Sequence, residues 1–217
     1  LFIVIHINMT ASNLLLQCLL GMQCKDFVIV AADQNCTQSI LVMKDDEDKL
    51  IQLSDQLLMG VNGDMGDVGQ FSQFVSKNLK LYTMRNGYQL DTAAAVHFTR
   101  VNMAEMLRAG NPYILNLLIA GYDDKEGGQL YSMDFLASCV RLPFAAHGFG
   151  GLISISILNQ YYKPNLTEIE AYEIIKRCVQ EIHRRLFMNL PNFGVKSISK
   201  DGLKTLPTIS PASFMGK

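Results

Sequence analysis

Neither sign of charge dominates this chain. Lys and Arg number 19 against 20 Asp and Glu, a net charge of −1, which argues against nucleic acid or an anionic membrane as partner. Metal-ligand spacing is also missing. The five cysteines, Cys18, Cys24, Cys36, Cys139 and Cys178, are odd in number and scattered. They read as reduced, mostly packed thiols of an intracellular protein, with no metal and no cofactor to hold. No Lys or Arg precedes Lys25, and His6 and Asn8 interrupt the first apolar stretch well short of a membrane span. A secretory leader over Leu1–Ile7 and Leu14–Leu20 is therefore not expected. Without secretion the Asn-x-Thr triplets at Asn8, Asn35 and Asn165 are chance occurrences. Repeats, low-complexity tracts and linkers are lacking, so the chain is not divided.

What is present suits one large packed domain. The 217 residues are 49% apolar and 18% charged, a composition that excludes disorder, and a chain of this size buries roughly 70–75% of its unfolded surface. Period-two segments predict strands over Phe27–Ala32, Ser39–Met43, Lys49–Ser54 and Gln56–Val61. Asp67 caps an expected helix whose Val68, Phe71, Val75 and Leu79 share one face, and Asn86-Gly87 ends it. Asp91 caps a second helix, with Ala94, Ala95, Phe98, Met103 and Leu107 inward. Strands follow over Tyr113–Ala120, Leu130–Asp134 and Val140–Ala145, with Gly127-Gly128 as a hairpin turn. Gly148, Gly150 and Gly151 lead into a helix ending at Tyr161. Thr167 to Glu170 forms a capping box for a helix carrying Tyr172, Ile175, Val179, Ile182 and Leu186. A last hairpin pairs Asn192–Ser199 with Leu203–Leu206 around Lys200-Asp201-Gly202, and beyond Pro207 a tail is expected to run over the surface. Strands, two helices, strands, two helices and strands imply an α+β fold of two face-to-face sheets with a helix pair outside each.

The most informative stretch is Phe27 to Asp33, an apolar strand that closes on a carboxylate. Sixteen positions later Lys49 heads another strand. A lysine on a neighbouring strand and a strand-end acid can meet as an ion pair in a partly desolvated place.

Taken with this order of elements, Val28-Ile-Val-Ala-Ala-Asp33 followed by Lys49, Leu81-Tyr-Thr-Met-Arg-Asn-Gly87, Ala120-Gly-Tyr-Asp123 with Gly127 and Tyr131, and Ala145-Ala-His-Gly-Phe-Gly150 resemble the beta subunits of the 20S proteasome. The similarity runs from about Leu15 to Ser210. Met43-Lys-Asp-Asp46, Tyr82-Thr-Met-Arg-Asn-Gly-Tyr88, Asn189-Leu-Pro-Asn-Phe193 and Leu19-Leu-Gly-Met-Gln23 look like its non-catalytic type-2 branch, at the beta-four position. The resemblance implies a four-layer αββα sandwich of the N-terminal nucleophile hydrolase type over 15–210, an uncertain N-terminal extension over 1–14 and a C-terminal tail over 211–217. It implies a place in the beta ring and chamber wall of a 28-subunit particle, beside other alpha and beta subunits. The setting would be cytoplasmic and nuclear, in ATP- and ubiquitin-dependent protein degradation.

The family's active members carry an amino-terminal threonine about sixteen residues before the strand-end Asp, and that count reaches Gln17 here. An amide cannot attack a peptide carbonyl. Thr10, which follows Met9, is 23 residues from Asp33, too far for the same register. The active members' helix-three serine aligns with Phe149, and their helix-four Asp and Ser with Arg185 and Met188. No catalytic, cofactor-binding or metal residue is therefore expected, and Asp33 with Lys49 is expected to be structural. Two alternatives stand beside this reading. One is a degenerate or tissue-specific paralogue outside the particle, suggested by Cys24-Lys25 where the family has a Gly-Pro-like turn and by the unfamiliar first fourteen residues. The other is a threonine peptidase with an unplaced nucleophile, Thr37 being the nearest downstream candidate. His147 reads as a satisfied structural histidine and His183 as a surface residue.

Overall fold

Residues 16–38 and 41–214 are described in the computed structural model; the apolar stretch Leu1–Ile7, Thr10, the expected extension 1–14, Ser39 and Ile40 lie outside them. Phe27–Asp33 (β2) is buried at every position, because its two faces meet two different layers. Ile29 and Ala31 pack toward the helices of one side, while Val28, Val30 and Ala32 meet the other sheet, as the two-residue period of a strand requires. In the first sheet β2 lies between β1 (Leu19–Gln23) and β11 (Phe193–Ser199), with β10 (Phe144–His147) and β12 (Gly202–Ile209) at the edges. The second sheet runs β5 (Leu50–Ser54), β6 (Leu57–Gly63), β7 (Leu115–Asp123), β8 (Gly127–Met133) and β9 (Cys139–Arg141), all antiparallel. Helices α1 (Met65–Asn86) and α2 (Thr92–Arg108) cover the second sheet, and α3 (Gly148–Tyr161) and α4 (Glu168–Arg185) cover the first.

Three apolar clusters are the three seams of this four-layer αββα sandwich. Leu19, Leu58, Leu118, Leu130 and Ile198 fill the seam between the sheets. Phe71, Val75, Met103 and Ile119 fill the seam under α1 and α2, and Ile175, Val179, Ile182 and Phe193 the one under α3 and α4. The capping box at Thr167 and Glu170 is present. No helix of the described residues is long and apolar enough to cross a membrane.

The structure corrects several local expectations. Leu19–Gln23, with no alternation of its own, is a strand because β2 and β10 flank it on both sides. The first helix is capped by Asp64, whose carboxylate accepts from Gly66 N; Asp67 instead accepts from Ile114 N at 2.8 Å and ties α1 to the approach of β7. The expected strand over Ser39–Met43 is a small separate hairpin, β3 (Cys36–Gln38) with β4 (Leu41–Lys44). Val140–Ala145 is two strands, not one. Pro143 lacks an amide donor, and there the chain leaves the second sheet and enters the first, its carbonyl accepting from Gln23 N at 2.8 Å. Beyond Pro207 the chain does not run free. β12 continues to the fully buried Ile209, and a 3-10 turn, Pro211–Phe214, sets Phe214 against the α4 side of the core. Pro207 is tolerated there because β12 is an edge strand with a register irregularity at that point.

Gly127-Gly128 is not the hairpin turn. That turn lies at residues 124–126, where Asp123 accepts from Lys125 N at 2.7 Å, and both glycines belong to β8. Gly128 is small because the Cys24–Phe27 turn crosses it closely: a Cβ would meet the carbonyl oxygens of Cys24 and Phe27, each at 2.8 Å. Gly128→Ala should therefore cost about 1–3 kcal/mol through overpacking against backbone that cannot rotate away. The expected result is a lower urea midpoint with an unchanged slope.

Candidate functional site

The end of β2 carries Asp33 into the interior, and the residue just before β5 brings Lys49 to it. Lys49 Nζ lies 2.7 Å from Asp33 Oδ2; the lysine is 8% and the aspartate 0% exposed. The carboxylate has further duties. Its Oδ1 accepts from the backbone N of Cys18 at 2.7 Å and its Oδ2 from Asn35 N at 3.1 Å, while Cys18 O accepts from Asp33 N. Both oxygens are thus used, which makes the buried charge tolerable.

Counting back from Asp33 identified Gln17 as the residue at the nucleophile's place, and the structure shows what it does there. Its Nε2 donates to Gly63 O at 2.9 Å and its Oε1 accepts from Gly63 N at 3.0 Å. Gln17, Asn35, Lys49, Gly63 and Met65 line a cavity of about 140 Å³. The neighbouring Cys18 offers no substitute nucleophile. Burial, then the Asp33 carboxylate and Cys178, push its thiol pKa well above the ordinary value, so the thiolate that would attack is absent at neutral pH. The pairing of Gln17 with Gly63 spans 46 positions and has no local motif behind it. The one signal for it was a glycine at the end of a largely apolar strand.

The other residues singled out lie apart from this pocket or are otherwise occupied. Thr37 is inside β3, opposite Val42. Phe149 packs edge-on against Phe187, ring centres 6.2 Å apart. Arg185 turns outward to Glu181 at 2.8 Å, and Met188 follows α4 half-buried. His147 Nε2 stands 3.0 Å from Ser132 Oγ and joins the two sheets. Burial lowers its pKa against the opposing effects of a backbone hydrogen bond to Leu117 and of Asp134. His183 is not a surface residue. Its Nε2 donates to Leu190 O at 2.6 Å, and its ring sits between Phe193 and Phe214. The Cys24–Phe27 turn closes through Cys24 N to Phe27 O at 2.8 Å, and Ala137 is the one non-glycine residue with positive φ among those described. Cys24-Lys25 therefore demands neither glycine nor proline.

Two stacked antiparallel sheets between helix pairs, with a strand-end carboxylate holding a lysine, define an N-terminal nucleophile hydrolase fold. The family model described as proteasome subunit matches residues 17–198. Proteasome subunit beta type-2 of Oryza sativa subsp. japonica is 41% identical over 189 residues, covering 87% of this chain and 89% of that protein. Proteasome subunit beta type-4 of Saccharomyces cerevisiae is 38% identical over 187 residues, covering 86% and 94%. In Dictyostelium discoideum, proteasome subunit beta type-2 is 36% identical over 199 residues, covering 90% and 100%. The chain belongs to the proteasome subunit family, among its beta subunits.

Two measurements check this account of the site. Lys49→Met should destabilise by about 3–5 kcal/mol in chemical denaturation, since it strands the Asp33 charge, and adding Asp33→Asn should recover part of that loss. For His147 the folded pKa lies below the unfolded value of about 6.5. The unfolded chain therefore takes up a proton that the folded one refuses. Stability is complete above that pH and falls as pH drops toward the folded pKa, by at most about 1.4 kcal/mol per unit. His147→Gln should remove this component of the slope between pH 7 and pH 5 in urea titrations.

Proposed function

We propose that the protein is a non-catalytic beta subunit of the 20S proteasome core particle. It would sit at the type-2 position of a beta ring in a 28-subunit assembly, in the cytoplasm and nucleus, within ATP- and ubiquitin-dependent protein degradation. The observation that carries the non-catalytic part is the double hydrogen bond of Gln17 to Gly63. At the place of a nucleophile stands an amide, held on both of its polar atoms. Asp33 and Lys49 keep their pairing but have nothing to activate.

What such a subunit supplies is shape. Leu41, Val42 and Met43 are exposed together on the β4 strand, and Leu152 and Ile155 on α3, with Leu152 71% exposed. Obligate assemblies bury roughly 2,000 Å² or more of largely apolar surface, and these residues suit lateral and inter-ring contacts. The paralogue reading loses its local motive with a Cys24–Phe27 turn that closes normally. The peptidase reading would need Thr37, which is internal to β3.

Native mass spectrometry of the tagged protein from its own cells is the test. The expected result is a particle of 28 subunits that contains this chain with a first residue other than threonine. A threonine-directed peptide epoxyketone should label its neighbours and leave this chain untouched. Recovery alone or as a small oligomer would overturn the assembly, and labelling of this chain would overturn its inactivity.

A further inference from the structure

Ser132 and His147 meet across the seam between the two sheets. Two residues before Ser132, Leu130 lies in that seam, and two residues before His147 so does Ala145. The two-residue period of a strand therefore turns both side chains inward, each toward the other sheet. His147 Nε2 stands 3.0 Å from Ser132 Oγ. The pair sits at the flank of the sandwich. β10 is the outermost strand of the first sheet, and Ser132 pairs with Val140 of β9, the outermost strand of the second. Val140 is 51% exposed and Ser132 is only half-buried, so the hydroxyl lies at an open edge of the seam.

A reactive serine needs a base within hydrogen-bond reach, and the base needs a third group that holds its ring. Here the base is His147 and the third group is the Leu117 backbone, to which the ring donates. With its N–H given to Leu117, a neutral ring keeps the lone pair of Nε2 for the Ser132 hydroxyl. Burial holds the ring neutral against that bond and against Asp134, the charged group that acts on it. His147 is also the N-cap residue of α3 and makes no side-chain cap there, its ring being turned to Ser132. The positive end of a 14-residue helix thus adjoins the pair and favours negative charge beside it.

We propose that Ser132 is an activated serine, a covalent modification site that takes a small uncharged acyl group from an activated ester with His147 as its base. As Oγ bonds to the acyl carbon, its proton passes to Nε2 of His147. The ester C–O bond then breaks, and the leaving oxygen takes the proton back from the ring. The products are O-acyl-Ser132 and the free alcohol or phenol, and the step closes without an oxidant or a reductant. The acyl group is uncharged because the hydroxyl is flanked by Leu118 and Val140 on the neighbouring strands, while the Asp134 carboxylate nearby repels an anion. The pair shares no residue with Asp33 and Lys49, and the inference goes beyond the non-catalytic reading: it concerns modification of this chain, not cleavage of peptides.

The test uses the full-length chain as purified from its own cells, with any neighbouring threonine nucleophiles blocked by epoxyketone. It is treated with p-nitrophenyl acetate, and acetyl groups are mapped and timed by peptide mass spectrometry. Ser132 should be acetylated at least about tenfold faster than any other serine of the chain, and His147→Gln should slow that reaction about a hundredfold. Ser132→Ala should leave this peptide unlabelled. The anionic ester p-nitrophenyl hydrogen succinate should modify Ser132 more slowly than the acetate does. In wild type the rate at Ser132 should hold at neutral pH and fall in acid as the ring takes up a proton. Its midpoint should lie below the 6.5 of an ordinary histidine, because burial lowers the His147 pKa. Labelling of Ser132 no faster than of other serines overturns the proposal, as does an unchanged rate in His147→Gln. The pH profile needs no variant and decides the matter if His147→Gln does not fold: a rate at Ser132 that stays flat into acid overturns the proposal.

Discussion

The Asp33 carboxylate is the constraint around which the site is arranged. It stands at the end of the central strand of one sheet and receives the lysine that introduces the edge strand of the other. Its second oxygen fixes the backbone at Cys18, where β1 is about to begin. A charge so deeply buried is costly unless each lone pair is directed, and every partner that satisfies it also fixes a chain segment. The position of Gln17 follows, because the residue next to it is held by Asp33. The meeting of Gln17 with Gly63 follows in turn, because β6 ends opposite that point.

On the proposed non-catalytic reading, the architecture of a hydrolase is retained without its reaction. Proton relays and nucleophiles need an atom able to change its bonding, and here the atoms in place are an amide engaged at both ends and a thiol kept protonated by burial. What the fold retains is the part of the machinery that doubles as a structural clamp.

Much of this was legible in the sequence, and the reasons are local. Thr167 and Glu170 announce their capping box by spacing, and Phe71, Val75 and Leu79 announce a buried face by period. Asp33 and Lys49 were legible because an acid ending an apolar strand must be answered by a cation. Most of the misses are tertiary. β1 is a strand only through its partners, and Gly127-Gly128 imitates a turn although its smallness serves a chain crossing above. His183 sits beside two arginines and reads as surface, but it is enclosed by Phe193 and by a tail residue that follows it by some thirty positions. The bond from Gln17 to Gly63 spans 46 positions and leaves no periodic trace. Such contacts become visible only when strand lengths are known to a single residue.

Pro143 has a consequence of a mechanical kind. Within the nine residues from Cys139 to His147 the chain serves as the outermost strand of one sheet and then of the other. The two sheets are thereby geared together, since a slip of one residue in β9 would displace β10 by the same step and turn its side chains to the opposite face. His147 would lose Ser132, and the glycines that begin α3 would arrive out of phase with Cys18 and Ala146, against which Gly150 and Gly151 pack. The sandwich therefore keeps a single alignment between its layers because one short ribbon is stitched through both.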